Sequence, residues 1–356
     1  MNPQPLIVRA LRDPDAIAGF TTPEWDLLIR QARSGNLLAR LWYVFECNGL
    51  LGDVPPQPRR HLEWARTFAD KLTTAVHLEV AFIQNALPAE PIILLKGAAY
   101  VLAGLPPAYG RIFSDIDILV PKGTIDKVES QLMMHGWIAT HHDEYDQRYY
   151  REWMHEVPPL QNVKRGTVID VHHAILPLTM GVHPDADSLR AAATPINGHE
   201  GLYTLAPIDI VLHSAAHLFY EGELFQGLRD LSDLDGLIRH FSIDAKFWEH
   251  LVARAQELEL IRVLFYALVY TRKFFSTPIP EAVISAADIG RPPALVLALM
   301  NAILSRVLLP DHVSCRDTAS VLARKALYVR ANWLRMPPLL LALHLFHKAF
   351  ISRKEG

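Results

Sequence analysis

Along the N-terminal part of the chain, apolar positions recur at helical spacing. Thr22-Pro23-Glu24 offers a capping hydroxyl and a first-turn proline, and Trp25, Leu28, Ile29 and Ala32 follow on one face. Gly35 and Gly49 interrupt the pattern, and Val54 to Pro58 (VPPQP) reads as a linker. Beyond it, Leu62, Ala65, Phe68, Leu72, Ala75, Phe82 and Ile83 form a broad amphipathic stripe that stops before Pro88. Residues 1–88 are therefore expected to be a helical segment whose apolar faces pack on a neighbouring unit.

The pattern changes at Ile92. Ile92 to Leu95 is too short an apolar run for a helix and ends at Gly97, which predicts a core strand opening into a turn. Ala98 to Ala103 has helix-forming composition and is stopped by Gly104 and Pro106. From Asp115 to Val120 (DIDILV) acidic and apolar residues alternate. A strand of period two would put both carboxylates on one face, with Ile116 and Ile118 in the core. Pro121 and Lys122-Gly123 turn the chain into an amphipathic helix through Ile125, Val128, Leu132 and Met133, ending at His135-Gly136. Trp137 to Thr140 suits another strand, and the polar, aromatic, His-rich stretch His141 to Trp153 reads as loop or edge strand.

Two apolar runs, Glu156 to Val163 and Thr167 to Ile175, flank Lys164-Arg165-Gly166, the signature of a β-hairpin. Its second arm would bury Ile169 and Val171 and leave Asp170 and His172 together on the opposite face. From about Leu202 helical spacing returns. Ile208, Val211, Leu212, Ala215 and Phe219 make one core face, with His213 and His217 four apart on another. Leu228, Leu231, Leu234, Leu237 and Ile238 make a second, with Arg229, Asp230 and Asp233 off it. Further helices are expected over 247–275, 293–309 and roughly 318–350. The expected fold is α+β. A small mixed sheet flanked by helices, 89–200, lies between the helical N-terminal segment, 1–88, and a mainly helical C-terminal domain, 201–356.

Composition narrows the possibilities. Half of the 356 residues are hydrophobic and 21% are charged, which supports a substantial packed core. A net charge of -3 argues against a general polyanion binder, so a small-molecule or protein partner is favoured over nucleic acid. Two cysteines far apart, Cys47 and Cys315, fit neither a disulfide framework nor a zinc motif and suit a reducing cytoplasm. The N-terminus lacks the apolar core of a signal peptide. The apolar regions around Leu295 to Leu309 and Pro338 to Phe346 are short or interrupted, below the roughly 20 residues of a spanning helix.

The chemistry concentrates on a few positions. Gly97 at a strand-to-helix turn would let backbone approach a phosphate, and the following helix start offers free N–H groups. Asp115, Asp117 and Asp170 are strand-borne carboxylates that repel one another unless a cation neutralises them, and their hard oxygens match magnesium. Lys96 and Arg111 would either neutralise a triphosphate or balance the nearby aspartates. Ser114 would contact the nucleotide with Lys96, Gly97, Ala98 and Arg111, or simply start the strand. His172 would orient an acceptor, act as a base, or be a hydrogen-bonded core imidazole. His213 and His217 have the i,i+4 spacing of a metal pair, but HSAAH lacks the glutamate of HExxH, and packing over the cleft is the alternative.

Ile92 to Val120, together with Val168 to His173 (VIDVHH), resembles the minimal nucleotidyltransferase superfamily of polymerase-beta-like fold. More narrowly it is similar to a largely uncharacterised bacterial group of nucleotidyltransferase family proteins. The positions that carry the likeness are Leu95-Lys96-Gly97, Arg111, Ser114-Asp115-Ile116-Asp117, Ile169-Asp170-Val171-His172, and His213, His217 and Asp233. The resemblance covers roughly residues 92–237. It implies that Asp115 and Asp117 bind Mg²⁺, with Mn²⁺ as the alternative, and that Asp170 completes the site and assists deprotonation of the acceptor. It also implies transfer of a nucleoside monophosphate from an NTP, ATP first among them, with release of pyrophosphate. Ala98 stands where the wider superfamily has Gly or Ser, so the phosphate grip would rest on backbone N–H groups with Lys96 or Arg111. Two rival expectations remain: a His/Asp metal-dependent hydrolase on the C-terminal helices, built from His213, His217 and Asp230 or Asp233, and a non-catalytic nucleotide-binding scaffold, which Ala98 favours.

Overall fold

The computed structural model describes residues 4–140, 147, 150, 151 and 153–336. His141, His142, most of the His-rich stretch around them, the run Pro338 to Phe346 and the end of the last expected helix lie outside the described residues. The N-terminal segment forms α1 (Leu6–Arg12), α2 (Thr22–Ser34), α3 (Leu38–Cys47) and α4 (Pro56–Ala86). The cap of α2 is Thr21 rather than Thr22. The N–H and hydroxyl of Thr21 both donate to Glu24 Oε2 at 2.8 Å, because a carboxylate three residues on reaches back to that position. On α4, Leu62, Ala65 and Ile83 are buried, but Phe68 and Phe82 are 45% and 44% exposed. Each sits one residue, about 100° around the helix, from the buried Ala69 and Ile83, so the core stripe is narrower than the composition suggests.

The sheet holds β1 (Ile92–Leu94), β2 (Asp115–Leu119), β3 (Trp137–Ala139), β4 (Leu160–Asn162), β5 (Val168–His172), β6 (Thr194–Pro195) and β7 (Leu202–Thr204). Their order is β3-β4-β5-β2-β1-β7-β6. The pairs β2–β5 and β1–β7 are parallel and the rest antiparallel. Helices α5 (Lys96–Leu102), α6 (Ile125–Met134) and α7 (Ala186–Ala191) connect the strands. The predicted hairpin is present as β4–β5. Its turn is closed by Asn162 Oδ1, which accepts from the N–H of Lys164 at 3.1 Å and of Arg165 at 3.2 Å.

The sequence pattern restarts helix at Leu202, whereas Leu202–Thr204 is a strand beside β1. Gly201, at φ +77°, turns the chain sharply there, and its carbonyl accepts from Ile92 N–H at 3.1 Å. The sheet therefore runs on to Thr204, past the boundary expected at residue 200. Beyond it lie α8 (Pro207–Tyr220), α9 (Gly227–Phe241), α10 (Ala245–Glu257), α11 (Ile261–Phe275), α12 (Glu281–Ala287), α13 (Ala294–Val307) and α14 (Ser320–Arg335). Among the described residues no single helix is long and apolar enough to cross a membrane. The pair Glu281–Gly290 and Ala294–Val307, apolar enough together, is bent by 109°.

One continuous apolar core includes Ile7 and Leu28 from the first segment, Ile118 and Ile169 from the sheet, and Val211 and Leu264 from the last. A buried ionic knot joins the same parts. From α3, Arg40 Nη2 donates at 2.7 Å both to the Pro107 carbonyl and to Asp233 Oδ1 on α9. Arg111, on the loop leading into β2, contacts the other oxygen, Asp233 Oδ2. The Asp233 side chain is only 3% exposed. Removing it would leave the buried Arg40 guanidinium without its ion-pair partner and Arg111 with only Asp230, at 3.5 Å. Asp233→Ala is therefore expected to lower unfolding free energy by roughly 3–5 kcal/mol, read as a fall in the denaturant midpoint. A loss below about 1 kcal/mol would mean the knot is not structural.

Candidate active site

Strand register builds the site. In the parallel pair β2–β5, Asp117 lies opposite Asp170 and Asp115 opposite Val168. Opposed residues of a parallel pair point to the same side, and a step of two returns to it, so Asp115, Asp117 and Asp170 share a face. Each offers a carboxylate oxygen within 4.8 Å of the other two. Asp117 is buried, Asp170 is half-buried and Asp115 is the most accessible of the three.

The environment treats the three acids differently. Asp115 Oδ1 accepts from the Ser114 hydroxyl at 2.9 Å. Asp117 Oδ1 accepts from Lys96 Nζ and from His172 Nε2, each at 2.9 Å. Burial alone would raise the Asp117 carboxyl, yet the Lys96 ammonium and the His172 imidazole hold it well below the usual range. In turn, burial works against the charge on Lys96 and on His172, and contact with Asp117 outweighs it in both, raising their proton affinity. Among the described residues Asp170 has no such donors. Burial first, then the Asp117 and Glu156 charges, push its carboxyl up to about 7, and its Oδ1 is buried without a hydrogen-bond partner. Three hard oxygen ligands, one with an orphaned oxygen, are a donor set that suits a hard divalent cation.

At the turn after β1, the residue with positive φ is Lys96, at +43°, and not Gly97. A β-carbon on Gly97 would stand 2.8 Å from Phe113 Cδ1 and 3.8 Å from Arg111 Nε. The glycine expected to cradle a phosphate thus makes room for the Phe113 ring. Ala98 is buried on α5 and has no polar group to offer. Arg111 is tied to α9: it contacts Asp233, lies 3.5 Å from Asp230 Oδ1, and sets its guanidinium 5.7 Å from the centre of the Tyr100 ring. It does not stand free beside the carboxylates.

His213 and His217 on α8 face the charge of Lys96. Burial, then Lys96, pushes the His213 imidazole down to about 3, and Lys96, then burial, holds His217 well below its ordinary range. The His/Asp metal centre expected for these helices is not assembled. Among the described residues neither group of three potential ligands includes His213 or His217, and Asp230 and Asp233 are engaged by Arg229, Arg111 and Arg40. His217 instead lines a cavity of about 280 Å³ with Ser114, Glu221, Arg229 and Asp230. A larger cavity of about 550 Å³, lined by Ile208, Phe241 and Phe247, includes none of the site's carboxylates.

Sequence reasoning misses Arg40, Phe113 and Glu156. A lone arginine in the apolar run of α3 is a readable signal for the first. Phe113 and Glu156 carry none, since only the folded chain brings them to Gly97 and His172.

The sequence matches the family described as uncharacterised nucleotidyltransferase over residues 21–276. No curated protein matches it. The crystal structure of JHP933 from Helicobacter pylori aligns with 79% of this chain and 97% of that chain at 14% identity, with a TM-score of 0.33, too slight a likeness to carry an argument.

Asp170 makes a testable pH dependence. Its pKa is about 7 folded, against an ordinary value of 3.8, so between these pH values the native state keeps a proton that the unfolded chain has lost. Its contribution to stability therefore falls as pH rises through that window. In chelator, Asp170→Asn is expected to gain Tm relative to the parent between about pH 4 and about pH 8. A gap that stays constant across this range would show that Asp170 titrates normally.

Proposed function

Because the chain belongs to the uncharacterised nucleotidyltransferase family, we propose that it moves a nucleoside monophosphate from an NTP, ATP first among the candidates, to an acceptor hydroxyl with release of pyrophosphate. The convergence of Asp115, Asp117 and Asp170 carries this reading. These residues would hold Mg²⁺ or Mn²⁺, which when bound neutralises phosphate charge and favours an in-line displacement.

The remaining roles belong to the protein. Asp170, opposite Asp117 on the adjacent strand, is the carboxylate placed to take the proton from an acceptor hydroxyl. Lys96 neutralises Asp117 in the free protein and is the cation best placed to turn toward phosphate oxygens when another cation replaces it. His172 fixes the orientation of Asp117, and Ser114 that of Asp115. Arg111, held by α9, would meet the nucleotide as part of a wall and not as a mobile clamp. The cavity lined by His217, Arg229 and Asp230 suits a polar acceptor, a small molecule or a protein side chain. A cytoplasmic setting, with NTP available and Cys47 and Cys315 kept as free thiols, fits this chemistry.

A second reading, nucleotide binding without turnover, rests on Ala98 and on Phe113 filling the space beside Gly97. One assay separates the two. With Mg²⁺, labelled NTPs and a panel of acceptors, transfer predicts pyrophosphate release and a labelled acceptor, reduced by about 10²-fold or more in Asp117→Ala. Release that survives Asp117→Ala would eliminate the proposed site. NTP-dependent gain in Tm with no pyrophosphate would select the binding protein.

A further inference from the structure

A second group of ligand-type side chains, His155, Glu156 and His172, lies on the other side of the His172 ring from Asp117. The short arm that carries it is fixed along β5. Glu156 bridges to His172, Val157 N–H donates to the Val171 carbonyl at 3.0 Å, and His173 N–H donates to the His155 carbonyl at 2.8 Å. Each of the three side chains offers a ligand atom within 4.8 Å of the other two.

We propose that His155, Glu156 and His172 bind a transition-metal ion of zinc type, at a site distinct from the hard-cation position among the three aspartates. The His172 side chain, 3% exposed, gives the reason. Its Nε2 donates to Asp117 Oδ1, which as a carboxylate can only accept, so one proton is fixed on Nε2. Its Nδ1 is then left buried without a hydrogen-bond partner, 3.2 Å from Glu156 Oε2. A proton on Nδ1 would pair the two atoms, and a metal ion held between them and shared with His155 would do the same. His155 Nδ1 is likewise buried without a partner. Ligand atoms about 2.0–2.1 Å from a tetrahedral zinc are about 3.3 Å apart, which is close to the Nδ1-to-Oε2 spacing.

The chain carboxylate–imidazole–metal, with Asp117 as the carboxylate, is the arrangement that orients a ligating histidine. Two imidazoles and one carboxylate select zinc, cobalt or nickel over magnesium, so the two positions would take different ions. An ion on His172 would also fix that ring, and through it Asp117.

The test uses the full chain, stripped of metal and held in excess Mg²⁺, titrated with Zn²⁺ alone and separately with Co²⁺. One equivalent should bind, and Co²⁺ should give the strong visible absorption of a four-coordinate site. His155→Ala and Glu156→Gln should each weaken Zn²⁺ binding by about tenfold or more, while Asp115→Asn leaves it unchanged. Glu156→Gln keeps the side-chain shape and decides the matter if His155→Ala fails to fold by circular dichroism. Absence of a Zn²⁺ equivalent would overturn the proposal. So would Zn²⁺ binding lost in Asp115→Asn but kept in Glu156→Gln, since the ion would then sit on the aspartates. These are binding and spectroscopic readouts, so they stand or fall separately from nucleotidyl transfer.

Discussion

Asp117 and Asp170 face each other across two parallel strands, and most of the surrounding polar structure answers the repulsion between them. Two unit charges less than 5 Å apart oppose each other by about 3 kcal/mol at an effective dielectric constant near 20. The fold meets this asymmetrically. Lys96 and His172 both bond one oxygen of Asp117 and keep it ionised. Asp170 receives no donor at Oδ1 and retains its proton toward neutrality. One acid is satisfied by the protein and its neighbour is left to be satisfied by something else, which is the electrostatic form of a binding site.

Part of this arrangement is legible in the amino-acid order alone. Alternation in DIDILV puts two carboxylates on one face whatever strand lies beside it, because the period of a strand is independent of its neighbours. The hairpin around Lys164-Arg165-Gly166 is likewise a local matter of turn chemistry. Which strand pairs with β2, and in what register, depends on long-range packing that no local pattern encodes, and that register is what brings Asp170 opposite Asp117. The same limit explains the misplaced glycine. Gly97 has the sequence context of a phosphate turn, but its small size is taken up by a ring sixteen residues further on (113 minus 97). Leu202–Thr204 escapes pattern reading because a strand of three residues is too short to show a period.

The histidines show the same division. Spacing of four groups His213 and His217 on one helix, but spacing says nothing about their surroundings, where burial and the Lys96 charge disfavour a protonated imidazole. His155 draws no assignment from its neighbours in sequence, yet the β5 bridge sets it beside His172. Clusters assembled by strand pairing are harder to foresee than those assembled by a helix turn, since the first need the whole sheet and the second only the helix.

The knot of Arg40, Asp233 and Arg111 has a consequence for how such a protein can diversify. The C-terminal helices share a buried charge with the loop that enters the aspartate strand, so the two are not interchangeable modules. A lineage that replaced its C-terminal helices wholesale would strand Arg40 on α3 and Arg111 on the loop before β2 without their shared counter-charge. Gradual change at the cavity rim, around Glu221 to Asp230, leaves that shared charge intact and is the less obstructed route to change.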